Sequence, residues 1–257
     1  MSWMGTGYGG LDKVYDDMGG KGGPRRVWIP PNKTARFMFL DDDPSKFFEH
    51  QFFYNGNWRN WEPCIVRNKI GPSCPICDAS DKNYAAYVGL HTVINMSPWF
   101  TKKDVEVCFG REIFAARLGS DEKPGVLKKL KKLAEKHGGL RGLVFDVERP
   151  GKKTEVCGSE FELVEKVDPK GIREYATAQL KDYIERVNRK APPDKQLTME
   201  QQWKRNPWEP HNFEQVIKPR SYDELKQMFA HKQGGDSSRG QGGEEGDAGT
   251  GDDEMPY

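Results

Sequence analysis

The sequence predicts an α+β protein, and three observations predict it. Short apolar, aromatic-rich runs separated by turn residues fill Pro24 to about Lys166, one leucine-striped helix interrupts them, and helical periodicity takes over after Asp168-Pro169. Residues 1–23 carry eight glycines and almost no apolar periodicity, which reads as a flexible leader. From Gly234 to Tyr257, Gly, Asp, Glu and Ser dominate, and such a stretch buries too little apolar surface to fold, so a disordered acidic tail is expected. The predicted organisation is a leader (1–23), a strand-rich core (24–167), a helical segment (168–233) and the tail (234–257).

Arg36-Phe37-Met38-Phe39-Leu40 is apolar enough for a buried strand, and Asp41-Asp42-Asp43-Pro44 stops it. Further strands are expected at Leu90–Met96 and Val105–Phe109. A hairpin is expected from Leu143–Glu148 and Glu155–Val167, turned by Arg149-Pro150-Gly151-Lys152. Leu127, Leu130 and Leu133 share one face of a helix over about Gly125–His137, which Gly138-Gly139 ends. Three strands, a helix and two strands suit a small five-stranded barrel of the oligonucleotide-binding (OB) type, although other α+β layouts fit the same order. Arg173–Lys190 has apolar residues at helical spacing, and Ser221–His231 opens with Ser221 as N-cap and Glu224 in the capping-box position.

Composition excludes several classes. The chain has 257 residues, a mean hydropathy of -0.84 and 31% charged residues, and no apolar run reaches the length of a membrane span. The start lacks the basic and apolar regions of a secretory signal, so an intracellular protein is expected. The net charge of +1 hides an asymmetry: the tail has seven acids against one base, which leaves +7 on residues 1–233. A basic body implies an anionic partner, and an acidic tail implies a separate role.

Three of the five cysteines fall within 14 residues, as Cys64-x9-Cys74-Pro75-Ile76-Cys77. Two thiolates at C-x-x-C spacing can grip one zinc ion, because the turn between them aims both sulfurs the same way. His50 is the leading fourth ligand, with Cys108, His91 and Cys157 as alternatives. A full set of four would make the zinc structural, in a small subdomain over about residues 47–80. Cys108 and Cys157 stand in apolar surroundings and otherwise read as ordinary buried thiols.

His50-x13-Cys64-x9-Cys74-x2-Cys77, set in aromatic and basic sequence and followed by an acidic tail, resembles the T4-type phage single-stranded DNA-binding (helix-destabilising) proteins. The resemblance implies an OB barrel over about Pro24–Val167 with a zinc subdomain, and one structural Zn²⁺ held by His50, Cys64, Cys74 and Cys77. It also implies a non-enzymatic role on single-stranded DNA in phage replication, recombination and repair, in the cytoplasm of an infected bacterial host. Asp252-Asp253-Glu254-Met255-Pro256-Tyr257 is similar to the acidic tip of bacterial single-stranded DNA-binding proteins, which docks on replication and recombination partners.

Binding a single strand without reading its sequence needs cations for phosphates and flat rings for bases. Arg25-Arg26, Trp58-Arg59-Asn60-Trp61 and Trp99-Phe100-Thr101-Lys102-Lys103 interleave the two, and Tyr84-x2-Tyr87 adds further rings. Phe37, Phe39 and Phe161 read instead as core, and Lys128, Lys129, Lys131 and Lys132 as the solvated face of a helix. A second reading is a zinc-containing RNA-binding or transcription-associated factor. A third is a nuclease or primase-like enzyme, for which Asp41-Asp42-Asp43 is the acidic triplet in the folded part, without a Walker loop, nucleophile elbow or zincin motif beside it.

Overall fold

A computed structural model describes residues 24–54, 57–79, 85–97, 99–100, 106–107, 109–120, 122–189, 191–205 and 208–230. The protein is mixed α+β, with an open, mostly antiparallel sheet of seven strands. Its described residues fall into two compact units: one holds 24–46 with 88–216, the other 47–87 with 217–230.

In the larger unit, β1 (Lys33–Phe39), β4 (Ala85–Asn95) and β7 (Gly110–Arg117) precede helix α2 (Val126–His137), and β8 (Leu143–Arg149) and β9 (Glu160–Lys166) follow it. The pairing order is β9-β8-β1-β4-β7, antiparallel at every step. No ladder joins β7 to β9 among the described residues, so the sheet is open where a barrel would close. Instead, 25–29 lies along the edge of β7. Val27 donates to the Ile113 carbonyl (2.9 Å), Ile113 donates to that of Arg25 (2.8 Å), and Ile29 donates to that of Val156 (2.8 Å).

Phenylalanines fill the inner face of this sheet. Phe39 packs on Phe114 (ring centroids 5.4 Å apart) and edge-on against Phe145 (5.9 Å), and Phe161 meets both Phe114 and Phe145. Such edge-to-face pairs add about 0.5–1.5 kcal/mol each beyond burial. Phe37, Phe39, Phe114 and Phe145 are fully buried, and Phe161 is half-buried.

Helix α2 occupies the predicted span. Val126, Leu127 and Leu130 are its buried face, and Gly138 ends it at φ 76°, a left-handed conformation that glycine adopts without steric cost, donating to the Ala134 carbonyl. Its lysines are partnered locally: Lys129 reaches Glu160 and the Ser159 carbonyl, Lys131 reaches Glu135, and Lys128 reaches the Ser120 carbonyl.

Helix α3 (Ile172–Asn188) belongs to the same unit. Its Ile172, Ala176, Leu180 and Ile184 share one core with Met38, Leu40, Ile94 and Val144. A 3-10 turn (Pro193–Lys195) and short helices α4 (Met199–Arg205) and α5 (Phe213–Val216) follow it.

Two expectations need correcting. The third strand of the core is Gly110–Arg117, not Val105–Phe109. Among its described residues, that earlier stretch holds β6 (Glu106–Val107), which pairs with β5 (Trp99–Phe100). The true strand buries Glu112, and an acid facing inward breaks the apolar pattern that marks a strand in sequence. The second hairpin strand starts at Glu160 rather than Glu155, because Glu155 caps other elements: its carboxylate accepts from the backbone N–H of Arg117 (2.9 Å) and of Val126 (2.8 Å).

In the smaller unit, β2 (Ser45–Tyr54) pairs with β3 (Asn57–Pro63), with a bulge between His50 and Phe52. Helices α1 (Pro75–Ala79) and α6 (Tyr222–Ala230) complete it. Its core is small: Cys64, Ile65, Cys74, Ile76, Ala85 and Leu225. No helix among the described residues is long and apolar enough to cross a membrane.

Candidate metal centre

The centre begins with a hairpin. β2 carries His50 opposite Glu62 on β3, and the bulge beside His50 bends the strand there. The chain then turns back on itself after β3. The Cys64 N–H donates to the Phe48 carbonyl (2.8 Å), and Asn68 clamps the same residue from both sides, with its Nδ2 on the Phe48 carbonyl (2.7 Å) and its Oδ1 on the Phe48 N–H (2.8 Å). Lys69 completes this tight turn at φ 58°. Cys74 immediately precedes α1 and Cys77 lies in its first turn, where the Asp78 backbone N–H donates to the Cys74 carbonyl (3.1 Å).

These elements bring four donors together. The Nε2 or Nδ1 of His50 and the Sγ atoms of Cys64, Cys74 and Cys77 all lie within 4.8 Å of one another, and three of the four residues are buried. Cys64 and Cys77 sulfurs are 3.7 Å apart, and His50 Nε2 lies 3.4 Å from the Cys74 sulfur and 3.5 Å from that of Cys77. A tetrahedral zinc with bonds of about 2.3 Å to sulfur and about 2.0–2.1 Å to nitrogen needs sulfur–sulfur edges of about 3.8 Å and nitrogen–sulfur edges of about 3.6 Å. The three edges given above are close to those lengths.

Electrostatics favour a cation there. Burial opposes ionisation of Cys74, but hydrogen bonds from His50 and from nearby backbone groups outweigh it and bring the thiol down to about 6. Burial, the Cys64 thiol and the Cys74 charge push Cys77 up to about 12. Three sulfurs this close repel a second negative charge until a cation offsets it, and a bound metal ion removes the thiol protons outright. His50 Nδ1 is buried and has no hydrogen-bond partner among the described residues. With Nε2 on a metal, Nδ1 would carry the ring proton. The residues fit one metal ion with no open position.

The other expected residues lie as follows. His91 is not in the cluster: its Nδ1 lies 2.6 Å from Asp41 Oδ1, and the same carboxylate accepts from the Thr92 N–H (2.7 Å). Cys157 is buried beside Glu155 and is also apart from it. Cys108 lies outside the described residues.

Arg25 and Arg26 sit on the segment along β7, with Arg26 bridging Ile113. Trp58, Arg59 and Trp61 are on β3, with Trp58 opposite Phe53 and Arg59 opposite Phe52. Trp99 and Phe100 form β5. Tyr87 packs on Phe48, ring centroids 4.8 Å apart. Tyr84, Lys102, Lys103, Asp252, Asp253, Glu254, Met255, Pro256 and Tyr257 lie outside the described residues.

A feature that sequence reasoning missed is a half-open groove of about 430 Å³ in the larger unit. Arg36, Arg186 and Arg189 line it with Asp182 and Glu185, and the buried Phe109 and Tyr183, which also border it, stack with centroids 5.9 Å apart and 17° from parallel. Arg36 is forked onto Asp146 by two bonds of 2.7 Å. Arg186 lies 5.9 Å from the Tyr183 ring centre, the geometry of a cation over an aromatic face. Phe109 holds φ 49°, a conformation that costs a bulky residue about 1–3 kcal/mol. The only sequence signal for this groove was Arg186-x2-Arg189 at helical spacing.

No family model matches this sequence, and a search of curated proteins finds no match.

Proposed function

We propose that this protein binds single-stranded DNA without acting as an enzyme, and that a structural zinc ion holds its smaller unit together. One observation supports the reading: the order β9-β8-β1-β4-β7, with α2 between the third and fourth of these strands in sequence, is compatible with an OB-type layout left open between β7 and β9, and the four metal donors lie between the first two of these strands in sequence. OB barrels hold single strands by stacking bases on rings and neutralising phosphates. The resemblance to T4-type phage proteins supports the same reading, with coating of strands during replication, recombination and repair as the role and partner recruitment assigned to residues 252–257.

Arg186 and Arg189, on the groove beside the buried Phe109–Tyr183 pair, are the cations that would meet the phosphates of such a strand there. Asp41 and Asp42 are occupied by hydrogen bonds to the Thr92 and Arg141 N–H groups, as turn carboxylates are, which weighs against a Mg²⁺ site at that triplet.

Tryptophan fluorescence titrated with poly(dT), poly(rU) and duplex DNA across a salt series tests the proposal. The expected result is strong quenching by poly(dT) alone, with an affinity that falls with salt at a slope of about -0.7 per phosphate contact. Tighter binding of poly(rU) would favour the RNA-binding alternative. Magnesium-dependent cleavage of a labelled oligonucleotide would favour the enzyme.

A further inference from the structure

The four donors of the metal centre come from residues 50–77, but the side chains that back them do not. Arg220, 158 residues beyond Glu62, donates its backbone N–H to Glu62 Oε1 (3.3 Å) and its guanidinium to Glu62 Oε2. Glu62 is buried, lies opposite His50 in the hairpin and stands two residues before Cys64. Five residues on, Leu225 is fully buried in one apolar cluster with Cys64, Cys74, Ile65 and Ile76. Between these anchors, Ser221 and Glu224 form a reciprocal capping box: the Ser221 N–H donates to Glu224 Oε2 (2.7 Å) and the Glu224 N–H to Ser221 Oγ (3.3 Å). Helix α6 is therefore fixed at its start, packs on α1 beside the C-x-x-C pair and is pinned to the hairpin by an ion pair whose carboxylate, Glu62, is buried and whose guanidinium is partly exposed.

The two anchors differ in chemistry. Arg220 offsets the charge of Glu62, and without it that carboxylate would be a buried, uncompensated anion next to the His50 and Cys64 ligands. Leu225 fills the space behind two of the sulfurs, and truncating it would leave a cavity into which the ligand loops can relax. Both act on the ligands from behind, where outer-layer contacts fix ligand orientation and metal retention.

Resting on the reading of His50, Cys64, Cys74 and Cys77 as a metal site, we propose that helix α6 is a working part of the metal centre. Arg220, through Glu62, and Leu225, through the packing of Cys64 and Cys74, are positioning residues that set how tightly the ion is held. The coupling is reciprocal, so an ion that binds more tightly when α6 is docked also holds α6 in place. Metal occupancy thereby governs the attachment of the helix that leads into the acidic stretch 234–257.

The test uses the full-length, zinc-loaded protein. Zinc content is measured first, and a chain without zinc overturns the metal-site reading itself rather than the coupling. Zinc transfer to a colorimetric chelator is then timed for the parent, Leu225→Ala, Arg220→Ala, the conservative Leu225→Met and Arg220→Lys, and Phe114→Ala as a destabilised control in the sheet unit. Release faster by about tenfold or more in both alanine variants is expected. The conservative variants should recover most of the loss, and Phe114→Ala should release zinc at the parent rate. In parallel, amide exchange of 222–230 in the parent is followed with and without chelator, a readout that does not depend on any variant folding. Loss of protection on chelation is expected. Parent-like release in both alanine variants, equal acceleration by Phe114→Ala, or protection of 222–230 that chelation leaves unchanged would overturn the proposal.

Discussion

The two units solve the same problem with different materials. The larger one closes its core with rings: Phe37, Phe39, Phe114, Phe145 and Phe161 interlock across β1, β7, β8 and β9. The smaller one has, among its described residues, an apolar cluster of six buried residues, two of them cysteines, and gathers three thiols and an imidazole. Small units gain much of their stability from a bound metal where four donors are gathered for one. The contrast is one of materials: dispersion and water exclusion in the sheet unit, and on the proposed reading coordination in the other.

The sharpest way to break the contrast is to remove the ion. Cys74→Ser, or a strong chelator, should abolish metal binding and amide protection across 47–79 and 222–230, while the sheet unit keeps its protection. Structural zinc contributes about 10–16 kcal/mol in small domains, far more than any single side chain. Hydrogen exchange read by mass spectrometry checks this, and simultaneous opening of 33–39 and 143–149 would show the two units to be one.

The reciprocal change comes next. Phe39→Ala should cost about 3–5 kcal/mol in the sheet unit, read from the urea midpoint, with zinc content unchanged.

A pH series sharpens the comparison further, because the sheet unit carries a buried acid of its own. Burial pushes the Glu112 carboxyl up to about 7, against partial relief from Arg25 and a hydrogen bond from Asn95. The folded chain thus keeps a proton that the unfolded chain loses near 4.5. Stability from this group is therefore present at acid pH, declines as pH rises from about 4.5 to 7, and levels off above that. Glu112→Gln should remove this decline, worth up to roughly 3 kcal/mol at pH 8, as unfolding at pH 5 and pH 8 would reveal.

The smallest effect on the fold falls in the groove. Arg186→Ala with Arg189→Ala should leave urea midpoints within about 0.5 kcal/mol of the parent. The same pair should flatten the salt dependence of poly(dT) binding by about 0.7 per lost phosphate contact. An unchanged slope would remove the groove from the strand's path.

Legibility followed the range of the interactions. Helix α2 was readable because its leucine stripe and terminal glycines are local, and so was the Ser221–Glu224 cap of α6. The three cysteines were readable because a short turn fixes their relation, whereas His50 stood among alternatives until the hairpin brought its Nε2 to the sulfurs. The hairpin itself was hidden: Ser45–Tyr54 mixes charges with phenylalanines and shows no clean alternation. Strand β7 was hidden by its inward-facing Glu112, and Arg220 and Leu225 by the length of chain that separates them from the cysteines. Open sheet edges, too, are settled by long-range placement, which is why the segment beside β7 went unread.

That segment has a bearing on how copies of this protein meet. Strand edges invite pairing with neighbouring molecules and the growth of fibres. Here the β7 rim is already taken by 25–29, and the far rim, β9, displays Glu160, Glu162 and Glu165 to solvent. A second copy would find the β7 rim covered and the β9 rim largely acidic, which disfavours pairing at these two edges.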